Sequence, residues 1–133
     1  AYSGNYVSPS LTVTYSAGAD TAAPALLSAV YDGVTSYVEG ARTMFATFSD
    51  DTGIDTTAGN GPTLVYTTDS WATQTSTEAD TIGTCTAQKC HVKAQTSALV
   101  KGTDVEYYWS AKDTVSTPNA ANTPTYTFSV EDV

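Results

Sequence analysis

The residues of this chain whose types could do chemistry fall into three groups: a cysteine pair followed by a histidine, a loop crowded with aspartates, and two aromatics in polar surroundings. Cys85 and Cys90 lie in the stretch Thr-Ile-Gly-Thr-Cys-Thr-Ala-Gln-Lys-Cys-His-Val-Lys. If Ala87 and Gln88 form a two-residue turn, Thr86 pairs with Lys89 and Cys85 falls opposite Cys90. That pair is of the non-hydrogen-bonded kind, with Cα atoms roughly 4.5 Å apart, within disulfide reach. So short a loop gains only about 2 kcal/mol of chain entropy from the bond. The rival reading is a metal site, but two cysteines and the single His91 are too few for a closed zinc site. The spacing therefore predicts a Cys85–Cys90 disulfide and an oxidising compartment.

The loop Ser-Asp-Asp-Thr-Gly-Ile-Asp carries Asp50, Asp51 and Asp55, with Gly53 free to make a tight turn. Hard oxygens at near-alternate loop positions can hold calcium, and Asp113 could approach the same end of a folded domain. The spacing departs from an EF-hand loop, which needs further ligands and a distal Glu. The competing reading is that these aspartates cap their own turns. Calcium is the one cofactor the sequence admits. Trp71 sits in the polar stretch after Tyr66, and Tyr108 points the other way from Tyr107 and Trp109 on its strand; these two are the candidates for stacking on carbohydrate.

Catalysis finds little to work with. A nucleophile needs a base held against it, and the chain's one histidine follows Cys90 directly, with Val92 beside it. No serine sits in a Gly-x-Ser-x-Gly elbow. Paired carboxylates for glycoside hydrolysis must flank a cleft, whereas the acidic residues cluster at turns. The expectation is that the chain is not an enzyme.

The elements that must position these groups read as strands. Alternation of period two recurs, punctuated by Gly, Pro, Asn and Asp, and no stretch shows a 3.6-residue apolar period. Residues 25–31 form an apolar run after Pro24. Met44, Ala46 and Phe48 alternate with Thr43, Phe45 and Thr47. Leu64 and Tyr66 follow the Gly61-Pro62 turn, and the cysteine hairpin supplies strands over roughly 80–86 and 90–96. Val105, Tyr107, Trp109 and Ala111 form one face of a long strand; Tyr126, Phe128 and Val130 alternate in the last. About seven strands separated by turn signals are the pattern of an all-β, antiparallel two-sheet sandwich, placed over residues 21–133.

Composition agrees. A chain of 133 residues with 41% hydrophobic content can build one core. Its 14 acidic and 5 basic residues leave a net charge of −9, which repels phosphate backbones and anionic lipid alike. Nucleic-acid binding is excluded on that ground. No apolar run reaches the roughly 20 residues needed to span a bilayer, so membrane insertion by a helix is not expected. The start at Ala1, without Met or leader, fits a removed signal peptide or a piece of something larger.

The segments "DTAAPALLSAVYDG", "ATFSDDTGID", "GTDVEYYWSAKDTVSTPN" and "TPTYTFSV" resemble the immunoglobulin-like or fibronectin type III-like modules of prokaryotic surface and secreted proteins. The resemblance covers about residues 20–131. It implies an extracellular or cell-surface scaffold that acts as spacer, adhesion module or fibre subunit, and it names no ligand.

Residues 1–20 precede that module, yet contain Leu-Thr-Val-Thr-Tyr, which echoes the closing Tyr-Thr-Phe-Ser-Val. Leu11, Val13 and Tyr15 would form the apolar row of an extra strand. It could add an edge to its own sandwich, be the tail of a preceding module in a tandem array, or be donated to an identical neighbour. Twenty extended residues reach at most about 70 Å, enough to cross a small domain. Donation is head-to-tail, so repetition would build an open filament.

Overall fold

The computed structural model describes residues 20–29, 34–36, 39–86 and 88–131. Every regular element among them is a strand, and none of them forms a helix long and apolar enough to cross a membrane. The strands are β1 (Ala25–Ala29), β2 (Val34–Ser36), β3 (Thr43–Ser49), β4 (Thr63–Thr67), β5 (Thr75–Glu78), β6 (Asp80–Thr81), β7 (Cys90–Gln95), β8 (Thr103–Lys112), β9 (Ala120–Asn122) and β10 (Tyr126–Val130).

They make two sheets. The smaller runs β1-β3-β7-β6; the larger runs β2-β10-β8-β4-β5, with β9 also paired to β8. All pairs are antiparallel except β2, which lies parallel to β10. Four strands face a second sheet built on the long strand β8, the two layers of a β-sandwich. The long strand β8 shows why the layers close. Val105, Tyr107, Trp109 and Ala111 are buried on its inner face, while Glu106, Tyr108, Ser110 and Lys112 stay partly exposed on the other. Opposite, Met44, Ala46 and Phe48 of β3 and Cys90, Val92 and Ala94 of β7 supply the facing rows. Phe48 meets Trp109 edge-on across the two layers, ring centroids 6.2 Å apart. Tyr66 is buried too, but its hydroxyl donates to Ser97 Oγ and accepts the Ser97 N–H at 2.7 Å, so its polar end is satisfied. The indole Nε1 of Trp109 is buried without a hydrogen-bond partner.

The cysteine hairpin has the expected pairing. Thr86 and Lys89 exchange backbone hydrogen bonds, and Cys85 is bonded to Cys90 with Cα atoms 4.3 Å apart. The strand expected over 80–86 is shorter, however. Only Asp80 and Thr81 pair with β7, and Thr86 makes an isolated bridge, because Gly83 turns to φ 70° between them. The apolar run after Pro24 is also less buried than its composition promises. A register shift between Leu26 and Ser28 breaks its pairing with β3, leaving Leu26 packed on the core and Leu27 54% exposed. Strands β5 and β9 were not evident in the sequence; β5, Thr-Ser-Thr-Glu, has no apolar row at all. The strand expected at Leu11, Val13 and Tyr15 lies outside the described residues.

Candidate functional site

Two places gather the residues that could do chemistry, one at an end of the sandwich and one on the outer face of the larger sheet.

At the end, the loop after β3 is pinned to the end of β8. Ile54 bridges Asp113, the Asp55 N–H donates to the Lys112 carbonyl, and Thr114 N–H donates to the Gly53 carbonyl. Gly53 takes φ 110°, a conformation side chains rarely adopt, and this lets the loop fold back on Asp50. Asp50 Oδ2 accepts from the backbone N–H of Thr52 and Gly53 and from the Thr52 hydroxyl. Its other oxygen, Oδ1, is buried and accepts nothing. Asp113 is fully buried; its Oδ1 accepts from the N–H of Asn119 and its Oδ2 from Asn119 Nδ2 at 2.7 Å. The same Asn119 amide donates to the carbonyl of Asp20, which draws the start of the module into the site. One carboxylate oxygen each from Asp20, Asp50 and Asp113 can be chosen so that all lie within 4.8 Å of one another.

Of the four aspartates singled out for calcium, the structure thus brings Asp50 and Asp113 together and places two elsewhere. Asp51 is exposed at the loop's outer edge. Asp55 caps its own turn: the Thr57 hydroxyl at 2.6 Å, then the Thr57 N–H, hold its carboxyl below the usual range, with Lys112 adding a little. Asp20 takes the vacated place. It could have been found as the Asp of the Asp-Thr-x-x-Pro opening, which reads as a fold marker and not as a ligand. The donor set, hard anionic oxygens with one left unpaired, fits a calcium ion whose remaining ligands are water.

On the outer face, Trp71 and Tyr108 lie together with ring centroids 5.7 Å apart and planes tilted by 31°. Two features position them. Val65 of β4 pairs directly with Tyr108 of β8, two residues before β4 ends at Thr67 opposite Glu106. The turn after β4 then folds back around the buried Thr67. The Thr67 hydroxyl lies 2.7 Å from both Asp69 Oδ1 and the Thr73 carbonyl, and it accepts the Trp71 N–H at 3.0 Å. Asp69 in turn accepts from the hydroxyl and N–H of Thr73; these, with Thr67, hold its carboxyl below the ordinary range. Within this frame Ser70 and Trp71 both adopt positive φ, 55° and 69°.

His91 points outward from β7, exposed, with Nδ1 2.8 Å from the Thr47 hydroxyl. No protein-family model matches the chain, and neither a curated protein nor a solved structure matches it.

Proposed function

We propose that this chain is a structural subunit of an extracellular filament or surface fibre, joined to its neighbours by strand donation from its N-terminal segment. A spacer or adhesion module in a longer surface protein is the other role the same scaffold suits. The reading is non-catalytic: His91, the one ready base, is engaged with Thr47 on an exposed sheet face.

The observation that carries the proposal is where the core comes from. Its buried cluster draws on residues from Met44 to Val130, with Leu26 packed against it. The described residues thus supply facing rows from both layers, and Leu11, Val13 and Tyr15 offer, in the sequence, an apolar row that gains by burial. A second sandwich can supply that burial. Among the described residues the larger sheet ends at β5, whose hydroxyl and carboxylate side chains would tolerate backbone pairing at its edge, and the smaller ends at β1 with Leu27 exposed. Pairing would give affinity, and the alternating row would fix register. The Cys85–Cys90 bond suits a protein that matures where thiols oxidise, as a secreted subunit does.

Deleting residues 1–18 tests this directly. Polymers seen by electron microscopy with the full chain are expected to vanish, leaving sandwich-folded monomers. Assembly unchanged by the deletion rules the proposal out.

A further inference from the structure

We infer that the outer face of the larger sheet is a binding site for a neutral oligosaccharide, with Tyr108, backed by Trp71, as its stacking wall. This goes beyond the assembly role and does not depend on it, since none of the residues involved belongs to the N-terminal segment.

The site is a groove of about 380 Å³, near the lower end of the range for small-ligand sites. Tyr108 forms one wall. The loop Gly59–Gly61 forms another, fixed by Glu78, whose carboxylate accepts the N–H groups of Gly59 and Gly61. The residues lining the groove include three with amide side chains, Asn60, Gln74 and Asn122, and hydroxyl residues such as Ser76 and Ser110. Amides and hydroxyls both donate and accept, which is what adjacent sugar hydroxyls require. The apolar C–H face of a pyranose ring in turn fits against an aromatic face. Among the described residues no carboxylate lines the groove, and the one charged residue there is Lys112. The chain's net charge of −9 disfavours acidic glycans at long range, which selects the neutral class.

The backbone supplies an independent reason to read this place as functional. Two consecutive non-glycine residues, Ser70 and Trp71, are held at positive φ. Each such residue is strained and persists only where its surroundings over-determine it. Here the surroundings are the Thr67–Asp69–Thr73 network, and its product is an indole placed against Tyr108. A turn with glycine at these positions would connect β4 to β5 at lower cost, so the strain goes to presenting the ring.

The test is affinity electrophoresis of the full chain through native gels containing hydroxyethyl cellulose, xylan, galactomannan or starch, with polygalacturonate as the acidic control. Isothermal titration of the matching oligosaccharide then gives the affinity. Retardation by at least one neutral polymer is expected, and none by polygalacturonate. Tyr108→Ala should weaken binding roughly tenfold or more. Trp71→Gly removes the indole while relieving the positive φ, so it folds and should also lose binding. Gln74→Ala, on an exposed side chain, gives a further readout without touching the turn's frame. Migration unaffected by all four neutral polymers overturns the inference. So does retardation that survives Tyr108→Ala and Gln74→Ala. If polymers form but no glycan binds, only this inference fails; if glycan binds and no polymers form, only the filament proposal does.

Discussion

Two turns of this protein are built from the same materials and end differently. The turn after β4 (Thr67 to Thr73) and the loop after β3 (Asp50 to Asp55) both wrap backbone N–H groups and threonine hydroxyls around an aspartate. In the first, both Asp69 oxygens are engaged, the second through the Thr73 hydroxyl at 2.6 Å. The turn is self-satisfied, and its output is the position of Trp71. In the second, Asp50 spends one oxygen on the loop and keeps the other buried and unpaired, facing a neighbourhood that also holds Asp20 and Asp113. A buried acceptor left unmet costs about 1–3 kcal/mol. Asx-capping geometry is shared by the two aspartates; the unmet oxygen is the difference that a calcium titration can test.

The contrast can be broken most forcefully at Asp113. Replacing this fully buried carboxylate with alanine strands the Asn119 N–H and one of its two amide hydrogens, and the melting midpoint should fall by an amount worth about 2–4 kcal/mol. Next comes Thr67→Val, which keeps the shape but removes the hydroxyl at the centre of the other turn. About 1–3 kcal/mol should be lost, together with any glycan binding that depends on Trp71. A near-neutral result would mean the turn is held by something other than its hydrogen bonds.

Asp50→Asn sharpens the comparison because its predicted sign is opposite. The amide can keep the contacts of Oδ2 and put a donor where Oδ1 now has no partner, so without calcium the variant should be more stable by about 1 kcal/mol. Calcium should raise the midpoint of the unaltered protein, by about 2.7 kcal/mol at a hundred times its dissociation constant, and leave the variant unmoved. A midpoint indifferent to calcium in both proteins would make the cluster a purely structural knot.

The smallest effect is that of acid. Asp69 and Asp55 have carboxyls lowered in the folded state by the hydroxyls of Thr73 and Thr57. The folded form therefore binds protons less readily than the unfolded one. Their stabilisation is complete above the ordinary aspartate range and is lost as pH falls through the lowered folded values, below about 4. Melting between pH 6 and 3 should show a modest decline, and Asp69→Asn should flatten part of it.

Much of the fold was legible because its central strands obey one rule. Strands β7, β8 and β10 bury every second residue and β3 does so with Thr47 buried as well, so alternation identified them and their inner faces. The cysteine hairpin was legible because a two-residue turn admits only one register. Edge strands escaped: β5 is all hydroxyl and carboxylate, paired through backbone to β4 and needing no apolar row. The candidate sites were half legible. Trp71 and Tyr108 could each be picked out for chemistry, but their meeting depends on β4 pairing with β8 at Val65 and on a turn that glycine-free sequence does not announce. Asp20 escaped because an amide ninety-nine residues away holds it.

The central claim concerns what the N-terminal segment does, and particle mass tests it most directly. Light scattering on the full chain and on a form lacking residues 1–18 should give large, denaturant-resistant particles for the first and a compact monomer for the second. A full chain that stays near 13.9 kDa at high concentration, with its sandwich intact, would contradict the account.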